Sequence, residues 1–289
     1  MRTVKLFDDP TPDGIICQRF VPQLLDLSKA TDFSNEEANL FLRILILVAK
    51  KLAFVWKHKS AFQDLEKKLV HDLTARGEKG EMPQGQDASE DLFMEFDEFL
   101  VQVKSTLDYL VKIPIPIFGK NRWPLVTFGE KGDRIRKLLR NLPKQYHANA
   151  AAINTRLLQT HKDWLHLVIE ARDKQNHFID GGIPFEYFGV FWDRSKPIAV
   201  IHTPRWSEDM SVTEFMDIIW SNLFRFCERF VGYFLFFRIK PEVVFFHGSD
   251  DISSLEAPWK VVSKGEMDRY EKAGLLTKVE GSLDPTDKP

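Results

Sequence analysis

Four long stretches of the sequence carry apolar residues at helical spacing, and this pattern constrains the fold more than any other feature of the chain. Three of them begin beside residues that commonly cap helices: Ser34 or Asn35, Ser89, and Ser211 or Thr213. The first stretch is either one helix or two helices that join near residues 57–60. The pattern predicts a mainly α protein, built as a helical bundle. The stretches are DFSNEEANLFLRILILVAKKLAFVWKHKSAFQDLEKKLVHDL, SEDLFMEFDEFLVQVKSTLDYLVKI, QYHANAAAINTRLLQTHKDWLHLVIEARDKQNHFI and SVTEFMDIIWSNLFRFCERFVGYFLFFRI.

Shorter patterns fill the rest of the chain. The segment GDRIRKLLRNL predicts a short helix that Pro143 ends. Two aromatic or β-branched runs flank the turn sequence DRSKP, which predicts a β-hairpin at about 183–203, inserted before the last long helix. We therefore predict an N-terminal extension over 1–34, one helical domain over 35–248, and a polar, partly disordered tail over 249–289.

Composition excludes several classes of function. The net charge of -2 gives no bulk signal for nucleic acid, so any such surface must be a local patch. Cys17 and Cys227 are too few for a disulfide framework or a thiolate metal cluster, and a reducing cytoplasm is the simplest location. The N-terminus lacks an apolar signal core, and charges interrupt the apolar runs, so we expect neither secretion nor membrane insertion.

Recognisable cofactor motifs are also missing from the sequence. It contains no P-loop, dinucleotide fingerprint, serine-nucleophile elbow or zinc-ligand pair, and neither cysteine has a nearby activating histidine. His161 and His166 stand near Asp163, but histidines five residues apart do not share one helix face. We therefore expect no cofactor and no metal.

The end of the third helical stretch, EARDKQNHFIDGG, contains Arg172 and His177. On a straight helix these two residues are separated by about 140° around the axis and about 7.5 Å along it, whereas Asp173 and His177 share a face. Asp173 can accept a hydrogen bond from His177 and leave its second ring nitrogen for proton transfer, while Arg172 suits phosphate oxygens. Two copies across a two-fold axis would form a metal-free phosphodiester-cleaving site. The alternative is structural, because basic residues gather at helix C-termini.

The segment DWLHLVIEARDKQNHF resembles the signature of HEPN domains (higher eukaryotes and prokaryotes nucleotide-binding), an arginine followed by four to six residues and a histidine. Arg172, Asp173 and His177 occupy the arginine, polar and histidine positions of that motif. DEFLVQVKSTLDYL is similar to an earlier HEPN helix, with Ser105 and Asp108 at its small and acidic positions as accessory residues. The resemblance covers about residues 35–240 and is weakest in the hairpin.

This resemblance implies a homodimer with the two motifs at its interface and a metal-independent endoribonuclease activity without cofactor. The histidine would assist attack by a ribose 2′-hydroxyl, the arginine would hold the phosphate, and the product would end in a 2′,3′-cyclic phosphate. Such proteins often act as toxins, restrained by a cognate antitoxin, or as antiphage-defence effectors with a defence partner. Other members are non-catalytic interaction or scaffold modules that bind a protein partner, and an accidental motif match is a third alternative.

A local basic segment lies upstream of the motif. Between Lys120 and Lys144 there are eight basic residues and two acidic ones, with Trp123 and Tyr146 nearby as possible stacking platforms. This composition predicts an RNA-binding surface, and the alternative is a solvated helix face. The candidate RNA contacts are Lys120, Arg122, Arg134, Arg136, Lys137 and Arg140.

Aromatic residues crowd the last long helical stretch, LFRFCERFVGYFLFFRI. They cover too much of the helix to bury a single stripe. The helix is therefore either central in the core or one side of a dimer interface, and in a non-catalytic module it would hold the partner together with the hairpin.

Overall fold

The computed structural model describes residues 7–79, 87–129, 132–159, 161–177, 188–193, 200–247, 251–252, 254–256 and 258–272. Within these residues the chain is mainly helical, which confirms the predicted fold class. The α-helices are α1 (Val21–Lys29), α2 (Asn35–Glu78), α3 (Glu90–Leu110), α4 (Ile115–Phe118), α5 (Asp133–Arg140), α6 (His147–Ile153), α7 (Lys162–His177), α8 (Val212–Leu235) and α9 (Lys264–Lys272).

Short antiparallel strands accompany the helices, and every pairing among the described residues is antiparallel. The strands are β1 (Asp87–Ala88), β2 (Gly189–Asp193), β3 (Val200–His202), β4 (Arg205–Ser207), β5 (Met210–Ser211), β6 (Val243–His247) and β7 (Trp259–Ser263). Strands β2 and β3 pair with Trp192 opposite Ile201, as predicted for the hairpin, and β1 adds a third strand to their sheet. Residues 183–187 and 194–199 of the predicted hairpin lie outside the described residues.

Side-chain caps set the starts of the long helices. Ser34 accepts from the backbone N–H of Glu37 while Glu37 accepts from the backbone N–H of Ser34, and Ser211 and Glu214 form the same reciprocal box at the start of α8. Ser89 caps α3 through the backbone N–H of Leu92. Each box satisfies N–H groups that the first helical turn leaves without partners. The first stretch is one continuous helix rather than two.

The third stretch is helical but not uniform. A π-helix over Asn154–Gln159 separates α6 from α7, and residue 160 lies outside the described residues. The change of helix type falls just before 160–163, where the sequence of this stretch also allows a kink. Extra residues in a π-turn rotate the following helix relative to the preceding one. The side of α7 that packs on its neighbours is therefore not a direct continuation of the packed side of α6.

Helix α8 occupies the centre of the core. Fifteen of its residues are buried, including Phe224, Phe226, Phe230 and Phe234. It packs against α1, α2, α3 and α7, and α2 and α3 lie along each other. Burial on nearly all sides explains why its aromatic residues exceed one stripe. The core alternative for this helix is therefore the one that the structure supports.

The N-terminal segment belongs to the same core, in contrast to the extension expected over 1–34. Ile16, Phe20 and Leu24 are completely buried, and Thr31 forms a β-bridge with Ile239 beyond α8. The difference arises because the short helical segment before α2 packs on α8. The polar residues that flank this segment made its packing hard to recognise in the sequence.

Part of the segment expected as a polar, partly disordered tail is also structured. Strand β7 pairs with β6, and Trp259 is buried against α8, where its indole N–H donates to the carbonyl oxygen of Glu228 at 3.1 Å. One large aromatic side chain thus anchors a segment of otherwise polar composition. Residues 273–289 of the tail lie outside the described residues.

No helix in the described part of the chain combines the length and apolar character needed to span a bilayer.

Candidate functional site

Helix α7 positions the Arg-Asp-His motif. Its residues Leu165, Val168 and Ile169 are buried, and α7 packs on α3. Arg172 continues this stripe at helical spacing, three residues after Ile169. Its side chain therefore lies at the margin of the α3–α7 contact and keeps 32% of its surface exposed. An arginine in this position is held by the fold and still reachable from solvent.

Two carboxylates, those of Asp173 and Asp97, interact with the Arg172 guanidinium. Arg172 Nη1 donates to Asp173 Oδ1 at 2.9 Å, and the Asp173 side chain is 41% exposed. Asp97 of α3 is close enough to Arg172 to interact with its charge. Burial raises the pKa of Asp97, the neighbouring Glu98 raises it further, and Arg172 opposes the rise. The local field at Arg172 is consequently less positive than that of an isolated arginine.

His177 is the last residue of α7, and its side chain lies outside the described part of the structure. Its backbone stands one helical turn after Asp173, so the two residues share a face as predicted. The hydrogen bond from His177 to Asp173 stays a prediction, because the His177 side chain is not described, and the contact that Asp173 does show is with Arg172. Gly181 and Gly182, a pair that the sequence predicts to end this helix, also lie outside the described residues.

Ser105 and Asp108 lie on α3, the helix that α7 packs against. They are 8 and 11 residues beyond Asp97, which corresponds to about 12 and 16 Å along the helix axis. Asp108 Oδ1 accepts from Lys104 Nζ at 2.6 Å and from the backbone N–H of Phe128 at 2.8 Å. Asp108 thus attaches the segment before α5 to α3, and it lies about three turns from Asp97, the α3 residue that interacts with the charge of Arg172.

The six candidate RNA contacts differ in exposure. Arg136 is the exception to an otherwise exposed set, because its side chain is only 13% exposed. It bridges α5 to the π-helix: Nη1 donates to Asp133 at 2.7 Å and Nη2 to the carbonyl oxygen of Leu158 at 3.3 Å. Lys120, Arg122, Arg134, Lys137 and Arg140 are exposed.

Of the two aromatic residues predicted as stacking platforms for bases, Trp123 is not accessible, whereas Tyr146 is only partly buried. Trp123 is completely buried, its indole N–H donates to the carbonyl oxygen of Val111 at 2.7 Å, and its ring stacks on Phe118. Tyr146 packs edge-on against Phe118 and Phe237. The prediction was wrong for Trp123, because sequence proximity to a basic segment does not show which aromatic side chains fill the core, and for Tyr146 it stays a prediction.

A cavity of about 460 Å³ opens between α5, α6 and the π-helix. It is lined by Arg136, Leu139, Arg140, His147, Ala150, Ala151, Asn154 and Gln159. Sequence reasoning identified the two arginines but missed His147, Asn154 and Gln159, which come from the next helical elements. Their only sequence signal is a run of polar residues on the helical stretch that follows the basic segment. The cavity lies before the start of α7, and Lys162 and Arg172 are about 15 Å apart along that helix.

Metal-ligating and thiol chemistry find little support in the described residues. They contain no group of three or more His, Cys, Asp and Glu side chains arranged for a metal. His161 Nδ1 accepts from the indole N–H of Trp164 at 2.7 Å, and its ring packs on Phe226. Burial raises the pKa of the Cys227 thiol, and burial together with Asp9 raises that of Cys17, so both favour the protonated, poorly nucleophilic form.

Comparison of the chain with protein-family models, with curated proteins and with solved structures found no match.

Proposed function

We propose that this chain is a metal-independent endoribonuclease of HEPN type, acting as a homodimer with Arg172 and His177 as catalytic residues. The observation that supports the proposal best is the position of Arg172: it lies at the margin of the α3–α7 contact, one third exposed, five residues before the helix-terminal His177. Packing on α3 limits the motion of the helix that carries both residues.

The proposed reaction is an internal transesterification of RNA. Neutral His177 accepts the proton of a ribose 2′-hydroxyl, and the 2′-oxygen forms a bond to the adjacent phosphorus. The bond from phosphorus to the 5′-oxygen breaks, and that oxygen takes up a proton. Arg172 donates hydrogen bonds to the phosphate oxygens as negative charge develops on them. The products are a 2′,3′-cyclic phosphate and a 5′-hydroxyl.

Asp173 has two roles in this proposal. Without substrate it pairs with Arg172 at 2.9 Å and neutralises part of its charge. A bound phosphate competes for the same guanidinium, which releases Asp173 to accept from the imidazole N–H of His177 one turn later. The carboxylate then holds the histidine in the tautomer that leaves its other nitrogen for the 2′-hydroxyl proton.

Replacing His177 with alanine is expected to lower RNA cleavage in EDTA at least ~100-fold, the usual contribution of a general base. The measurement incubates wild-type and variant protein with a mixed RNA pool and maps the ends for cyclic phosphates. His166→Ala is the matched control: His166 lies on the same helix, is 44% exposed and lies 3.3 Å from Glu170. Cleavage by a folded His177→Ala protein at the wild-type rate would show that the motif is not catalytic.

The biological setting proposed for this activity is a toxin or an antiphage-defence effector, restrained by a cognate antitoxin or activated with a defence partner. Uncontrolled cleavage of cellular RNA is harmful, so such an enzyme needs a restraining partner. The proposed homodimer is checked by the mass of the purified protein in solution.

A non-catalytic module that binds a protein partner is the second candidate, and the surroundings of Arg172 favour it. The guanidinium has Asp173 bonded to it and Asp97 nearby, an arrangement also found in purely structural ion pairs. This candidate predicts no cyclic-phosphate ends from wild-type protein, with or without a partner, and a stable complex with the product of a neighbouring gene.

A further inference from the structure

We propose that the cavity between α5, α6 and the π-helix is a phosphate-binding site that holds one nucleotide unit. The ligand class is a phosphate ester of a nucleotide, either within RNA or free. The choice of RNA as its main source rests on the proposed function, whereas the phosphate site itself rests on the cavity. The site is separate from the Arg172 motif, because the whole length of α7 between Lys162 and Arg172 intervenes.

The cavity concentrates cationic and hydrogen-bonding groups from several elements. Arg136 and Arg140 come from α5, His147 from α6, and Asn154 and Gln159 from the π-helix. No carboxylate stands among the described residues that line it, although the chain as a whole contains more acidic than basic residues. A concave surface with one sign of charge attracts anions more strongly than the same charges on a convex surface.

Arg136 is fixed before any ligand arrives. Its contacts with Asp133 and with the carbonyl oxygen of Leu158 hold the guanidinium, and its side chain is only 13% exposed. Arg136 Nε is buried and has no hydrogen-bond partner among the described residues. A buried N–H donor without an acceptor is costly, so the Arg136 guanidinium keeps hydrogen-bonding capacity that the described residues leave unused. Little side-chain entropy remains to be lost when such an arginine binds phosphate.

His147 contributes a ring nitrogen to the cavity, and its hydrogen bond shows which of the two ring nitrogens carries the proton. Its Nε2 lies 2.9 Å from the carbonyl oxygen of Leu142. A carbonyl oxygen only accepts, so Nε2 carries the proton and Nδ1 is the ring nitrogen that remains for a ligand. Asn154 and Gln159 contribute amides that donate and accept. These groups suit the ribose or base of a nucleotide whose phosphate lies at the arginines.

The volume fits this ligand class. A cavity of about 460 Å³ falls in the range of small-molecule sites, which is roughly 300–1,000 Å³. It opens to solvent at the exposed Arg140, so a polymer can enter and leave it. A strand held here and at Arg172 would follow the α7 side of the molecule.

The test compares two variants that each remove one positive charge from the same neighbourhood. Arg140 is exposed and lines the cavity, whereas Arg156 is exposed on the π-helix between Asn154 and Gln159 but does not line it. Binding is measured in EDTA by fluorescence anisotropy with a labelled 2′-O-methyl RNA, which lacks the 2′-hydroxyl nucleophile. Arg140→Gln is expected to weaken binding ~10-fold and to reduce the salt slope by about one, and Arg156→Gln to change binding less than ~2-fold.

Calorimetry with uridine monophosphate separates the two sources of the phosphate. If uridine monophosphate binds saturably and Arg140→Gln weakens that binding, the site accepts free nucleotides as well as RNA. If RNA binds but the monophosphate does not, the site recognises the RNA backbone. Equal effects of the two variants, or no binding of either ligand by wild-type protein, would overturn the proposal. Binding needs no cleavage, so a wild-type protein that binds through Arg140 but does not cut RNA would refute the nuclease function alone.

Discussion

Replacing Glu228 with alanine is expected to lower the free energy of unfolding by about 3–5 kcal/mol, the usual cost of leaving one member of a buried ion pair alone. Arg19 is 0% exposed and Glu228 1%. The guanidinium donates from Nε to Oε1 at 2.9 Å and from Nη2 to Oε2 at 2.7 Å, and Gln23 also donates to Oε1. The variant leaves Arg19 charged in the core, with the carbonyl oxygens of Asp251 and Ser254 as remaining acceptors.

Urea denaturation monitored by circular dichroism measures this loss. The matched control is Glu256→Ala, which removes a glutamate from an exposed pair with Lys260 whose side chains are 70% and 60% exposed. Exposed pairs contribute little to folding stability, because water and salt screen their charges. Equal unfolding free energies for the two variants would show that Arg19 and Glu228 are not a buried pair.

A methyl group at position 232 is expected to destabilise the protein by about 2 kcal/mol, although alanine is a better helix former than glycine. A Cβ on Gly232 would lie 2.3 Å from Cε2 and 2.7 Å from Nε1 of Trp259, which is only 5% exposed. Overpacking costs about 1–3 kcal/mol and the strained indole hydrogen bond to Glu228 about 1 kcal/mol more. The higher helix propensity of alanine offsets only about 1 kcal/mol of this loss.

Thermal unfolding of Gly232→Ala, with hydrogen exchange along β6 and β7, measures both the loss and its location. Gly265→Ala is the control, since a Cβ at this position in α9 meets no atom within 4 Å. We expect that control to be neutral or slightly stabilising. An unchanged unfolding temperature for Gly232→Ala would mean that Trp259 does not pack closely against α8.

The long helices follow from local features that a sequence displays directly. Ser34 and Ser211 cap their helices as the sequence predicted, and the aromatic excess of α8 corresponds to burial on nearly all sides. The strands around DRSKP pair as predicted. These elements were predictable because caps, periodicity and turns each depend on residues close together in the chain.

The surroundings of individual side chains were not predictable in the same way. Trp123 fills the core, and Asp108 attaches a loop to α3. Arg172 interacts with the charge of Asp97 only because α7 packs on α3. The cavity brings together Arg140 of α5, His147 of α6 and Gln159 of the π-helix, three elements that follow one another in the chain. Such groupings depend on how distant helices are oriented, and a periodic pattern carries no information about that orientation.

The contacts of the segment before α2 have a consequence for synthesis on the ribosome. Arg19 and Glu228 are 209 residues apart, Arg238 donates to Asp32 across 206 residues, and Thr31 bridges to Ile239. The segment before α2 is translated before its packing partners, so Phe20 and Leu24 stay without them until α8 and the following residues have emerged. A nascent chain of this kind completes this part of its core only after residue 239 has emerged, and during that interval it presents apolar surface that chaperones recognise.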